Sequence, residues 1–220
     1  MKKLSILILI LGLFHFGCLY TPPSSDNSSL ISVPKSVQVD VSSMNHYSNA
    51  EYGISFYYPA DWDLAPEYMD KMAVDDANVN QSFVFIMKNS NKSTNMNIAA
   101  FNDSEMAEIC VTNVLLCDNA IANGISDDVD YYKKIDSGVK IVAGKRAYFN
   151  TRDVIFKPMA ISYEGEITNI TTSSTLDRNT QVIFSNNDVT FVITFASRSD
   201  AFLQDEADFD AILSTMEFSD

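Results

Sequence analysis

Two lysines, Lys2 and Lys3, open onto an apolar run from Leu4 to Phe14 that closes with Phe16-Gly17-Cys18. Positive charge, apolar core, small residue and cysteine, in that order, are what an export signal needs, and a terminal cysteine suggests a lipid anchor. From Leu4 to Tyr20 the run is about 17 residues, the lower limit for crossing a hydrocarbon core. A buried core helix is a poor alternative, because a polar, turn-forming stretch follows at once. Residues 1–17 are therefore expected to be a signal peptide outside the globular fold. Three fates compete: cleavage before Cys18 with lipid on its sulfur, cleavage nearby without lipid, or retention as a short membrane anchor.

The stretch Thr21-Pro22-Pro23-Ser24-Ser25-Asp26-Asn27-Ser28-Ser29 is too poor in apolar area to offset chain entropy. It reads as a tether, so residues 18–48 are assigned to a lipidated Cys18 and its linker, and 49–220 to the globular domain. Gly17 and Cys18 resemble the end of the prokaryotic lipoprotein signal, the lipobox. His15 and Phe16 depart from the leucine and small residue usual there. A tether directly behind Cys18 is what a lipoprotein would have. The expected location is the cell membrane, lipid-anchored (a palmitate-type attachment) and facing away from the cytoplasm.

The remaining part, about 175 residues, suits one domain with a full core. Removing Lys2 and Lys3 with the signal takes the formal net charge from −14 to −16. Such a surface repels phosphate backbones, and a nucleic-acid partner is excluded on this ground. Five Asn-x-Ser/Thr sequons, at Asn27, Asn80, Asn91, Asn102 and Asn169, would make a glycoprotein in a host that modifies exported chains.

Tyr52 to Pro59 alternates large apolar and small residues and stops at proline, the pattern of a strand. Gln81–Lys88 and Asn95–Phe101 read as two more, joined by hairpin chemistry at Asn89-Ser90-Asn91-Lys92-Ser93. Asp103-Ser104 offers an N-cap for one helix from about Glu105 to Ala122, with Met106, Ile109, Cys110, Val114 and Cys117 on its apolar face. Strands are expected over Tyr131–Ile135, Gly138–Ala143, Gly144–Val154, Gln181–Ser185 and Val189–Ala196. A last amphipathic helix places Phe202, Phe209, Ile212, Leu213 and Met216 on one face, with its acidic residues mostly off it. The economical arrangement is α+β, a mostly antiparallel sheet with helices packed on it.

Cys110 and Cys117 invite a disulfide in an exported protein. Seven residues of continuous helix rise about 10.5 Å, beyond the roughly 7 Å Cα limit for a bridge. The helical pattern favours two small buried cysteines, and a disulfide requires a helix interrupted near Asn113. Two sulfurs without a histidine make a poor zinc site. His46, the only histidine beyond the signal, reads as a solvated linker residue, which leaves little for a histidine-dependent nucleophile. Asp127-Asp128-Val129-Asp130 and Asp75-Asp76 lack calcium-loop spacing and read as solvated turns. Glu164 and Glu166 share a face if extended, an arrangement poorly suited to flanking a glycosidic bond. Trp62 is expected to cover a sheet edge beside buried Phe56 and Tyr58 rather than to build an aromatic binding surface. No catalytic residue, cofactor or metal ligand is assigned.

Tyr52-Gly53-Ile54-Ser55-Phe56-Tyr57-Tyr58-Pro59-Ala60-Asp61-Trp62 resembles the opening signature of PsbP-like domains, Gly-Ile/Phe-x-Phe-x-Tyr-Pro-x-x-Trp. The strand Phe191–Ala196 and the finish Ile212-Leu213-Ser214-Thr215-Met216-Glu217-Phe218 resemble the family's close, with Met216 where phenylalanine is common. The resemblance implies an α/β/α sandwich with a central, mostly antiparallel sheet, the fold of photosystem II PsbP and of a Ran-binding nuclear family. Plant PsbP works through a basic N-terminal segment that the tether here lacks, so the fold transfers and the photosynthetic role does not. The expected role is a non-catalytic binding or accessory domain, held to the membrane by its lipid and serving an envelope complex. The alternatives are a small-ligand or calcium carrier and, behind it, a carboxylate-based hydrolase.

Overall fold

The computed structural model describes residues 39–65, 82–102, 104–125, 129–157, 159–163, 166–170 and 176–219. The signal, Cys18, Asp75, Asp76, Asp127, Asp128 and Glu164 lie outside these residues, as do the sequons at Asn27 and Asn80.

Seven antiparallel strands form the central sheet. They are β3 (Trp62–Leu64), β4 (Ser82–Lys88), β5 (Asn91–Phe101), β6 (Val129–Val142), β7 (Lys145–Phe156), β10 (Asp177–Asn186) and β11 (Val189–Arg198), in the order β3-β4-β5-β11-β10-β7-β6. A second sheet joins β1 (Met44–Asn49), β2 (Ile54–Pro59) and β12 (Glu217–Phe218), while β8 (Met159–Tyr163) and β9 (Glu166–Ile170) pair as a hairpin. Three helices are described: α1 (Glu105–Thr112), α2 (Val114–Ile125) and α3 (Phe202–Ser214).

The period-2 alternation of the strands builds two cores on opposite faces of the central sheet. On one face Val84, Ile86, Met96, Ile98, Phe184, Phe191 and Phe195 pack with Ile54, Phe56 and Trp62, and with Phe209 and Ile212 of α3. On the other, Ala99, Phe101, Tyr148, Ile183 and Val192 pack under Met106, Cys110, Cys117 and Ile121 of α1 and α2. The result is α+β, an α/β/α sandwich with an antiparallel centre.

Several sequence expectations shift. The tether expected through residue 48 ends earlier, because Met44–Asn49 pairs with β2 and extends the second sheet. His46 is therefore a strand residue, its ring 4.7 Å from that of Tyr57. The two short strands expected between Tyr131 and Ala143 are one, β6, and the type I′ turn behind it places Ala143 at φ 49° and Gly144 at φ 75°. Trp62 is fully buried in the core. Asp205, expected off the apolar face of α3, is buried too.

The single helix expected over Glu105–Ala122 is two. Asn113 ends α1, donating its backbone N–H to Ile109 O at 2.8 Å. It also starts α2, its Oδ1 accepting from the Leu116 N–H at 3.1 Å. This break brings the Cα atoms of Cys110 and Cys117 to 5.0 Å, and the two are joined by a disulfide.

Candidate functional site

One group of buried polar residues gathers on the α2 face of the sheet, where β10, β7 and β6 run side by side. Register sets them in two cross-strand rows. Lys134, Arg152 and Asn179 form one, and Ser137, Asn150 and Gln181 form the other. On a regular strand Lys134 and Ser137, three residues apart, would face opposite ways. A register shift between Lys134 and Asp136 inserts Ile135 as an extra residue, so both side chains return to the same face.

Asp118, next to bridged Cys117 on α2, caps these rows. Its Oδ1 accepts from Tyr148 Oη at 2.5 Å and Asn150 Nδ2 at 2.9 Å. Its Oδ2 accepts from Lys134 Nζ and Ser137 Oγ, each at 2.8 Å. Burial pushes the carboxyl up, but these four donors outweigh it and hold the group below the usual carboxylate range. The Tyr148 hydroxyl is driven well above its ordinary value, by burial first and then by donating to Asp118.

Arg152 has 0% of its surface exposed. Its Nη1 donates to Asn150 Oδ1 at 3.2 Å and to Gln181 Oε1 at 3.1 Å. Its Nε and Nη2 meet no acceptor, and Asn179 Oδ1, across the strand pair, meets no donor. Burial pushes the guanidinium pKa down to about 10.

A second polar cluster lies on the opposite face. Asp205 Oδ2 accepts from Thr94 Oγ1 at 2.6 Å and Ser197 Oγ at 2.7 Å, and its Oδ1 pairs with Lys88 Nζ at 2.9 Å. Lys88 also reaches Asp208 at 2.9 Å, and Asp208 accepts from Trp62 Nε1 at 3.4 Å. Burial raises the Asp205 pKa and its three donors more than reverse this. The cluster clamps α3 onto the sheet. Near it, Arg178 grips Asp153 through Nε at 2.6 Å and Nη2 at 3.0 Å.

The residues singled out in the sequence contribute little to these clusters. Cys110 and Cys117 fix the α1–α2 corner that presents Asp118. Asp130 is exposed on β6, and Glu166 begins β9. Asn91 spends its amide on Thr94 Oγ1 at 3.1 Å, while Asn102 is exposed. Among the described residues no three His, Cys, Asp or Glu side chains converge as metal ligands. Asp118, Tyr148, Asn150, Arg152, Asn179 and Gln181 were not anticipated. For the five on strands the one signal is polar residues at alternate positions of strands buried on both faces, and Asp118, on α2, has none.

The solution structure of cyanobacterial PsbP (CyanoP) from Synechocystis superposes with a TM-score of 0.53 at 14% identity, covering 83% of this chain and 96% of that one. At that identity it shows the fold. LpqN of Mycobacterium tuberculosis, described as involved in cell envelope biogenesis, gives 0.42 at 14% identity over 80% and 91%. The Ran-binding protein Mog1p of Saccharomyces cerevisiae gives 0.44 at 7% identity over 80% and 96%. No curated protein matches the chain in sequence. The sequence model of the PsbP-like proteins matches residues 3–218, and by that match over nearly its whole length the chain belongs to the PsbP-like family.

Proposed function

We propose that the protein is an extracytoplasmic lipoprotein, cleaved before Cys18 and lipidated on its sulfur, whose PsbP-like domain serves an envelope complex as a binding or accessory subunit. The observation that carries this reading is the N-terminal order of two lysines, apolar run, Gly17-Cys18 and polar tether. The Cys110–Cys117 disulfide supports it, because such bridges persist in oxidising compartments. A non-catalytic role draws support from how the three buried carboxylates, Asp118, Asp153 and Asp205, are used, Asp153 being held by both arms of the Arg178 fork. Asp118 and Asp205 are charged and their oxygens are taken by intramolecular donors, so neither is poised to move a proton.

Intact-mass analysis of the membrane fraction tests the anchor. The expected product begins at Cys18 and carries the added mass of lipid, and C18A moves the protein out of the membrane fraction. A chain that retains Met1, or a C18A variant that stays membrane-bound, would overturn it. Cross-linking in intact cells tests the accessory role, with a recurrent partner expected and a lone monomer counting against it.

A further inference from the structure

The unpaired groups of Arg152 are not scattered. In a guanidinium, Nε–H and one Nη2–H point the same way and form the fork that matches the two oxygens of a carboxylate. This molecule uses that same edge elsewhere, where Nε and Nη2 of Arg178 hold the two oxygens of Asp153. At Arg152 the fork is fully buried and empty of acceptors. The opposite corner, Nη1, is fixed by Asn150 and Gln181, so the plane of the fork is set before anything meets it. The acid of this layer, Asp118, has its own oxygens filled by four donors, Lys134 among them. Among the described residues Arg152 therefore has no counter-charge. A lone buried cation is costly, and an unmet donor pair adds to that cost. Directly across the strand pair, Asn179 Oδ1 is a buried acceptor that lacks a donor. Opposed residues on one face stand about 5 Å apart at Cβ, so the two unmet groups belong to neighbouring side chains that one small molecule could bridge.

We propose that Arg152 and Asn179 form an internal site for a small carboxylate that carries an N–H or O–H donor beside its acid group, such as a hydroxy or amino acid. The carboxylate seats on Nε and Nη2 of Arg152, and the neighbouring donor seats on Asn179 Oδ1. Asn150 and Gln181 are positioning residues that hold the fork. A site with no exposed surface fills through local opening, so occupancy builds slowly relative to diffusion. The proposal goes beyond the accessory role and does not depend on lipidation, since it concerns the folded domain alone.

The test is thermal unfolding of the full chain in mild detergent, after long incubation with sodium glycolate, sodium acetate or sodium chloride at equal ionic strength. Glycolate is expected to raise the midpoint in proportion to the logarithm of its concentration, as native-state binding requires. Acetate, lacking the donor, should do so more weakly, and chloride not at all. R152K keeps the charge and loses the fork, so its apparent affinity for glycolate should fall at least about tenfold. N179A, which leaves the cation untouched, should abolish the preference of glycolate over acetate. Equal shifts with glycolate and chloride, or an R152K protein that responds like the parent, would overturn the proposal and leave buried water as the partner of the fork.

Discussion

The Tyr148 hydroxyl donates to Asp118 Oδ1 at 2.5 Å, with both side chains buried between α2 and the central sheet. One residue comes from a helix and the other from a strand thirty positions later. The bond therefore ties the helical layer to the sheet through a charged acceptor, the stronger class of hydrogen bond.

Removing the tyrosine hydroxyl takes one of four donors from a buried carboxylate. Y148F should cost about 2 kcal/mol. D118A strands four donors, including the ammonium of Lys134, and should cost more, about 3 kcal/mol. Urea unfolding followed by the fluorescence of Trp62, the only tryptophan and fully buried, reads both. Equal midpoints for Y148F and the parent would show that the bond contributes nothing.

The same groups shape the pH dependence of stability. Asp118 and Asp205 have folded pKa values below their ordinary one of 3.8. Their contribution is present above the unfolded value and is lost as pH falls through the lower folded values. The loss should thus begin near pH 4 and deepen below it. D118N should flatten this acid limb. Tyr148, its pKa raised from 10.0, adds stability that is present below pH 10 and lost as pH rises above it. Y148F should weaken that alkaline limb and, by taking one of the four donors from Asp118, shrink part of the acid limb as well. Denaturant midpoints across the pH range provide the check.

The disulfide and Asn113 act together. A bridge closing an eight-residue loop is worth about 2.5 kcal/mol in the chain-entropy account. C110S/C117S, or full reduction, should lower stability by about that amount, measured by calorimetry with and without reductant. N113A removes the cap of α2 and should cost about 1 kcal/mol. Because alanine also favours an unbroken helix, which would carry the two Cα atoms apart, the penalty should be larger in the oxidised protein than in the reduced one.

Ile135 gives a sharper test of how the polar rows are assembled. Deleting it leaves Lys134 and Ser137 two residues apart on a regular strand, so both still face Asp118. The deletion should therefore cost well under the about 3 kcal/mol of D118A, and the same in a D118N background as in the parent. A coupling of about 1 kcal/mol or more between the deletion and D118N in a double-mutant cycle would show that the bulge itself holds the two donors in place.

Much of the architecture was legible in local pattern. The alternation from Ile54 to Tyr58 and from Val189 to Ala196 and the apolar face of Phe202, Phe209, Ile212 and Leu213 specify elements by period, whereas the loop expected over Asn89–Ser93 narrows to a two-residue turn because β5 starts at Asn91. Burial then follows from the hydrophobic effect. The N-terminal order ending at Cys18 and the acidic charge likewise follow from composition. The polar layer was not legible, because a Tyr-x-Asn-x-Arg alternation reads as a solvated strand face until something covers it. Only the tertiary structure decided that α2 lies over that face. It also decided that one extra residue at Ile135 returns Lys134 and Ser137 to the same side, and that Asn113 breaks a helix its neighbours would continue. Each of these depends on partners distant in sequence, and a buried charge is stable only where such partners meet it. Local propensity carries no record of them, which is why Arg152 stands out only in the folded molecule.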